Sequence, residues 1–353
     1  MIRCLEGITV VDLSATVSGS FCSSLLAEHG ATVYTLTSMI EDVVERTEVT
    51  AREAWRSSIA RNKIVFDDAA STSPEFLAAC QACDVLIAAD TARAFDASPL
   101  AGLFRRPAEM EAPLRMFLLS PGADRPELWS GSIDEAGIYA ASGLAALTGQ
   151  SDEEPVLPEA PIAESLAGTM AALCIVSELW ASRRGARPGI DIEFAIHEAI
   201  QRMIEWQLPV AALTGVAELR NGNSFPLNAG ISNSHLTADG RFIAISAANQ
   251  VVANRLLKMI GGDELALDPR FQDEAARRHN MTALYSVIDE WIGQRTAEQV
   301  LEAADAADVV AGVIYEQADI LTHPQVTARG NLAKSAVLEA LFVRPTPRIT
   351  GVR

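Results

Sequence analysis

The sequence is short of positive charge, cysteine, aromatic residues and long apolar runs, and each shortage removes a class of function. Its 28 lysines and arginines face 46 aspartates and glutamates, giving a formal net charge of −18 and a pI near 4.7. Nucleic acid and anionic membrane surfaces both require a basic field, so neither is expected as a partner. The five cysteines (4, 22, 80, 83 and 174) are odd in number and scattered through apolar segments. They imply no disulfide framework and a reduced, cytoplasmic setting. Cys80 and Cys83 form a C-x-x-C, but a zinc site wants a second pair, and the two read as buried thiols. No run approaches the ~18 consecutive apolar residues of a membrane span. The start, Met1 to Val10, runs into a strand and has no signal-peptide layout. The histidines (29, 197, 235, 279 and 323) have no ligand spacing, so no metal is expected, and His197 reads as structural. There is no Walker A motif, Ser-His-Asp pattern, G-x-G-x-x-G, internal repeat or low-complexity tract.

What remains is an apolar, globular chain of 353 residues, with 49% hydrophobic and 21% charged residues and a mean hydropathy of +0.16. That length suits about two domains. Apolar runs predict strands over 8–13, 32–37, 63–67, 84–88 and 114–119. Helices are expected near 21–29, closed by Gly30, and 73–84, opened by Ser73 and Pro74, with Ser14 to Ser20 as a loop. Strand alternating with helix argues for a parallel, doubly wound sheet of the α/β class. A helix over 134–148, an acidic connector (Ser151 to Pro161) and a long helix continuing through 200–215 follow. Beyond a polar loop the pattern changes to a hairpin turning at Asp239-Gly240, helices near 249–261, 280–293 and 296–306, and a strand over 309–315. This reads as a second, smaller α+β domain.

One stretch invites a chemical question. After the connector, Ala163-Glu164-Ser165-Leu166-Ala167-Gly168 places a carboxylate in the first turn of an apolar helix. A helix start carries unsatisfied N–H groups and positive partial charge, so an ionised acid is favoured there. Glu164 can therefore be an ordinary first-turn residue. The alternative is a nucleophile, because Ala163, Ala167 and Gly168 clear space for an incoming thioester. Local physics leaves both readings open. Arg61 and Lys63 are likewise open between surface charges and ligand contacts, and Asn228-Ala229-Gly230 reads as an ordinary loop.

The order of segments carries a resemblance. "LEGITVVDLSATVSGSFCSSLLAEHGATV", "ARNKIVFD", "CDVLIAA", "IYAASGLAALTG", "AESLAGTMAALCIVSELWASRRGARPGIDIEFAIHEA", "TADGRFIAISAAN", "DPRF", "WIGQRTAEQVLE" and "HPQVTARGNL" follow one another as in the family III CoA-transferases. This group includes formyl-CoA transferase, carnitine CoA-transferase and α-methylacyl-CoA racemase. The resemblance implies a large Rossmann-like domain from both chain ends (1–200 plus 316–353) with a smaller domain (201–315) inserted. It also implies an interlocked dimer, either a homodimer or a heteromer with a paralogous subunit.

In the family's transferases an aspartate in an A-D-x-x-x-G setting attacks an acyl-CoA. Here Glu164 stands in that place, which implies it as the nucleophile for moving CoA between carboxylic acids. The substrate is then a coenzyme A thioester, with Ser18, Arg61, Asn62, Lys63 and Ala89 on the expected CoA path. Several positions depart from the family. Val17-Ser18-Gly19-Ser20 replaces the usual first loop, Leu36-Thr37-Ser38-Met39 lacks the arginine suited to CoA phosphates, and Ala88-Ala89-Asp90 replaces "ENF". Pro345 to Gly351 resembles the segment before the family's final helix, which implies that this helix is missing. Ser132-Ile133-Asp134 lacks a histidine and Ala247-Ala248-Asn249 lacks a glutamate that the family's racemases carry, so racemisation ranks below transfer. The alternative to an enzyme is a catalytically degenerate structural or regulatory subunit of a heteromeric transferase.

Overall fold

The structure is a computed structural model that describes residues 4–46, 52–107, 109–125, 127, 134–185, 189–217, 220–223, 231–334 and 341–344. Strand and helix alternate from the start: β1 (Thr9–Leu13), α1 (Val17–Glu28), β2 (Thr32–Leu36), α2 (Thr37–Arg46), α3 (Arg52–Ile59), β3 (Lys63–Phe66), α4 (Pro74–Ala82), β4 (Val85–Ala89), α5 (Ala92–Asp96) and β5 (Leu114–Leu119). Then come α6 (Glu135–Ser142), α7 (Leu144–Leu147), α8 (Ile162–Ser182), β6 (Asp191–Ala195), α9 (Ile196–Met203) and α10 (Gln207–Thr214).

Six of these strands form one parallel sheet in the order β3-β2-β1-β4-β5-β6. The central strands are covered on both faces, which is why they read as unbroken apolar runs: Val10, Val11, Leu86, Ile87, Met116 and Phe117 are all buried. Chain order reverses between neighbours β1 and β4, the kind of crevice in which open α/β sheets hold ligands.

Several boundaries differ from those expected, each for a local reason. α1 begins at Val17, four residues before the expected start at Phe21, because the Thr16 hydroxyl accepts the Gly19 N–H and closes the first turn. Ser18 is therefore helical. The helix expected over 134–148 breaks at Gly143, whose φ of +91° only glycine adopts cheaply. The long helix ends at Ser182, and Asp191–Ala195, expected to be helical, is strand β6, paired in parallel with β5 from Arg115↔Asp191 to Leu119↔Ala195. Residues expected to extend it are the shorter α9 and α10.

α8 is 21 residues long and, by length and composition alone, apolar enough to cross a bilayer. Its small side is packed instead: Ala163, Ala167, Gly168, Ala171 and Ala172 are buried. A Cβ at Gly168 would lie 2.4 Å from the Ser18 carbonyl oxygen, so glycine sets how closely α1 and α8 approach.

The remaining elements are β7 (Ile231–Leu236), β8 (Phe242–Ala247), α11 (Gln250–Ala266), α12 (Glu274–His279), α13 (Met281–Gly293), α14 (Ala297–Ala306), β9 (Val310–Val313), α15 (Gln317–Thr322), α16 (Pro324–Arg329), β10 (Leu332–Lys334) and β11 (Leu341–Val343). By contacts the chain divides into two compact units. One comprises Met1–Ala146, Val156–Glu218 and Gly330–Arg353; the other Leu147–Pro155 and Leu219–Arg329. The second unit has an antiparallel sheet, β7-β8-β9, over its own core of Ile243, Leu256, Leu284, Ile288 and Val300. The expected hairpin at Asp239-Gly240 joins β7 to β8. Asn228-Ala229-Gly230, Ser132-Ile133 and Pro345 to Gly351 lie outside the described residues.

Candidate active site

The start of α8 has no cap of its own. Pro161 occupies the N-cap position and offers no side-chain acceptor, which leaves the first amides of the helix to other partners. Two residues of α6, four apart and so on one face of it, supply them. The Glu135 carboxylate accepts the Ala163 N–H through Oε1 at 2.7 Å and the Glu164 N–H through Oε2 at 3.2 Å. The Tyr139 hydroxyl accepts the Ile162 N–H at 3.0 Å and donates to the Ala160 carbonyl at 2.8 Å. Burial, followed by the neighbouring Glu135, pushes the Tyr139 hydroxyl up to about 12.

With its helix capped from outside, the half-buried Glu164 reaches away from its own backbone. Its Oε2 accepts the N–H of Ser18, in the first turn of α1, at 2.8 Å. That amide also has no intrahelical acceptor, and it lies at the positive end of the α1 dipole. A carboxylate from one helix start is thus held by the amide of another, just beyond the carboxyl end of β1.

Of the residues expected on the CoA path, only some share this edge. Ala89 ends β4, one residue past Ala88, which pairs with Leu13 at the end of β1, so Ser18 and Ala89 both lie at the carboxyl edge of the sheet. Arg61 and Asn62 precede β3 and lie at the amino edge, since Lys63 is in register with Val33 and Val33 with Val10. The Arg61 guanidinium pairs with Glu28, donates to the Val343 carbonyl at 2.7 Å and stacks over the Phe342 ring. Asn62 turns the chain into β3 with φ +62°. The Lys63 side chain is wholly buried, with Nζ 3.0 Å from the Ser20 carbonyl and 3.5 Å from Asp12 Oδ2. Burial lowers its pKa against the pull of Asp12. A contact between this ammonium and a bound CoA would require the chain to rearrange.

Burial also raises the pKa of Cys22, Cys80 and Cys83, the last two to about 12 and about 11, as befits inert core thiols. A separate cavity of about 250 Å³ opens at the amino edge of β4 and β5, bordered by Cys83, Arg106 and Glu178. Among the described residues no group of three or more His, Cys, Asp or Glu is placed to hold a metal ion.

Glu135, Tyr139 and Asp12 were not singled out by the sequence. Glu135 and Tyr139 carry one faint signal, an acid and a hydroxyl spaced to share a helix face ahead of a helix whose N-cap is proline.

The profile of CoA-transferase family III matches residues 5–93 and 122–340. The chain belongs to that family. It is 30% identical to a succinyl-CoA–D-citramalate CoA-transferase of Chloroflexus aurantiacus over 94% of this chain and 83% of that protein. It is 27% identical to the alpha subunit of a succinyl-CoA–L-malate CoA-transferase of the same organism, over 93% of this chain and 78% of the relative. In fold it matches a CAIB/BAIF family protein of Brucella suis, with a TM-score of 0.83 and 23% identity over 99% of this chain and 93% of that one. Membership implies a CoA thioester as substrate.

Proposed function

We propose that the protein moves CoA between short dicarboxylic acids, with Glu164 as the nucleophile. The observation that carries this is the placement of Glu164: Glu135 caps its helix, and its own carboxylate faces the Ser18 amide in the small-residue gap between α1 and α8. The relatives that act on citramalate and malate supply the substrate class.

A Glu164 oxygen attacks the thioester carbonyl, the C–S bond breaks, and CoA leaves as thiolate with an acyl-glutamyl anhydride left behind. The thiolate then attacks the glutamyl carbonyl, releases the donor acid as a carboxylate and leaves CoA on Glu164 as a thioester. The acceptor carboxylate displaces CoA to form a second anhydride. Attack of the thiolate on the acceptor's acyl carbonyl yields the new acyl-CoA and frees Glu164. No net proton or electron is consumed. The Ser18 N–H is placed to steady the Glu164 oxygens through these exchanges. Asp is the family's usual residue, and the one-methylene-longer Glu164 reaches the Ser18 amide at 2.8 Å.

A second reading, a subunit that acts with a paralogue, is favoured by the alpha and beta subunits among the relatives. Exposed apolar residues on α8 and α10, Leu173, Trp180 and Leu213, support association in either reading, as a homodimer or a heteromer. The five free cysteines, two of them exposed, support a reducing, cytoplasmic location.

Hydroxylamine trapping with succinyl-CoA, followed by mass spectrometry, tests the assignment. The expected product is a hydroxamate on Glu164, absent in Glu164→Gln, whose transfer rate falls at least ~10³-fold. Transfer without any adduct on Glu164 would sink the nucleophile. A chain that is inert alone and active only with a paralogue establishes the subunit reading.

A further inference from the structure

We infer that the buried pair Asp12–Lys63 is a positioning element that aims the Ser18 N–H at Glu164. The inference rests on the proposed role of Glu164. Between β1 and α1 the chain turns through Ala15, whose φ of +48° is a left-handed conformation that a residue with a Cβ adopts only when its surroundings impose it. The surroundings are a closed polar network around the Asp12 carboxylate, which is 2% exposed. Oδ1 accepts the Ser14 N–H at 3.1 Å and the Ser14 hydroxyl at 2.7 Å. Oδ2 accepts the Ser23 hydroxyl at 2.5 Å and faces the Lys63 ammonium, which donates to the Ser20 carbonyl.

The segment 14–20 is therefore held at both ends, Ser14 by the carboxylate and Ser20 by the ammonium. Ser18 lies between them. The Ser14 side chain also lies directly against Gly19, where a Cβ would fall 1.8 Å from the hydroxyl oxygen, so movement at Asp12 is transmitted to the residue beside Ser18. The Thr35 hydroxyl donates to the Asp12 carbonyl at 2.8 Å and fixes the carboxylate's own strand.

Neutral groups can hold a turn, and burying two charges is costly enough that an apolar replacement often leaves stability intact. An ion pair wholly inside the protein, beneath the amide that meets Glu164, is explained by the position it enforces. The same geometry accounts for the family-like Arg-Asn-Lys run at Arg61 to Lys63 without a phosphate contact from Lys63.

The test uses Lys63→Met and the doubly neutral D12N/K63M in the full-length protein. The early amides of a helix have no intrahelical acceptor, so hydrogen-exchange protection at Ser18 reports its contact with Glu164. In both variants Ser18 exchange should accelerate about 10-fold or more while amides in the central strands stay protected. The kcat for CoA transfer should fall about 10²-fold with KM for acyl-CoA within about 3-fold, because misplacement affects the reacting geometry rather than ground-state binding. A purely structural role would change the amount of folded protein and leave that split and the Ser18 amide alone.

Wild-type exchange at Ser18 in the variants overturns the inference, and so does faster exchange with undiminished kcat. If Lys63→Met does not fold, Ser14→Ala removes one donor and no charge, and both readouts should move the same way by about 3-fold. A wild-type protein that never forms an adduct on Glu164 defeats the catalytic reading, and the exchange measurement still decides whether the pair positions Ser18.

Discussion

Two helix starts in the same unit, those of α5 and α8, solve one physical problem in different ways. At α5 three side chains, two from the adjoining turn and one from β6, accept the amides of the helix start. The Asp90 carboxylate accepts the Thr91 N–H at 2.7 Å, the Thr91 hydroxyl accepts the Ala94 N–H, and Glu193 from β6 accepts the Ala92 N–H at 2.8 Å. At α8 the helix's own first-turn acid accepts an amide of a different helix, that of Ser18. Glu135 and Tyr139 cap it from α6, and Glu164 faces another helix. A first-turn carboxylate normally ends as a cap. At α8 a carboxylate 29 positions earlier in the chain, that of Glu135, accepts the Glu164 amide in its place.

The comparison is broken most severely at Glu135. Glu135→Ala removes the acceptor for two amides at once and should destabilise the protein by about 2–3 kcal/mol, measured by urea denaturation. Activity should fall further than folding does, because Glu164 then has two unsatisfied amides of its own helix to turn back to. If Glu135→Ala keeps wild-type kcat, external capping has no bearing on the reaction.

Tyr139 sharpens the same side of the comparison through pH. Its hydroxyl has a folded pKa of about 12, against about 10 for an unfolded tyrosine. The raised value means that its contribution is whole below the unfolded pKa and is lost as pH rises towards the folded one. Thermal denaturation across this alkaline window should show a decline that Tyr139→Phe flattens. Near neutrality the same variant should lose about 1–2 kcal/mol, since it leaves the Ile162 N–H without its hydroxyl acceptor. A decline identical in both proteins would assign the alkaline loss to other groups.

These contrasts also show what could be read from the chain. β1, β4 and β5 were legible because strands buried on both faces read as near-continuous apolar runs. β6 was not, because Asp191 and Glu193 interrupt it with exposed charges and it follows a helix of similar composition. The Glu164 position was legible from the order of segments and its small neighbours. Its partners were not, since Ser18 lies 146 residues away and the spacing of Glu135 and Tyr139 on one helix face is only a faint mark of a cap for a different helix. The surroundings of Arg61 and Lys63 were the least legible. In sequence two cations flanking an asparagine look available for a ligand. In the fold each meets an acid from earlier in the chain, Glu28 at 33 residues and Asp12 at 51. Charge pairing over such separations leaves no local trace.

The mildest test is the control on the α5 side. Glu193 is exposed, and its single cap bond to Ala92 competes with water. Glu193→Gln keeps an acceptor and loses only the charge, so the cost should be below about 0.5 kcal/mol. Transfer activity should stay at the wild-type value, because the bond lost is the one from Glu193 to the Ala92 amide of α5, not a contact of the α8 start. The two helix starts then differ in kind: one tolerates loss of its capping charge, the other loses both stability and kcat. Equal losses of activity from Glu193→Gln and Glu135→Ala would mean that both variants act through the sheet's carboxyl edge as a whole. The special availability of Glu164 would then need another cause than its external cap.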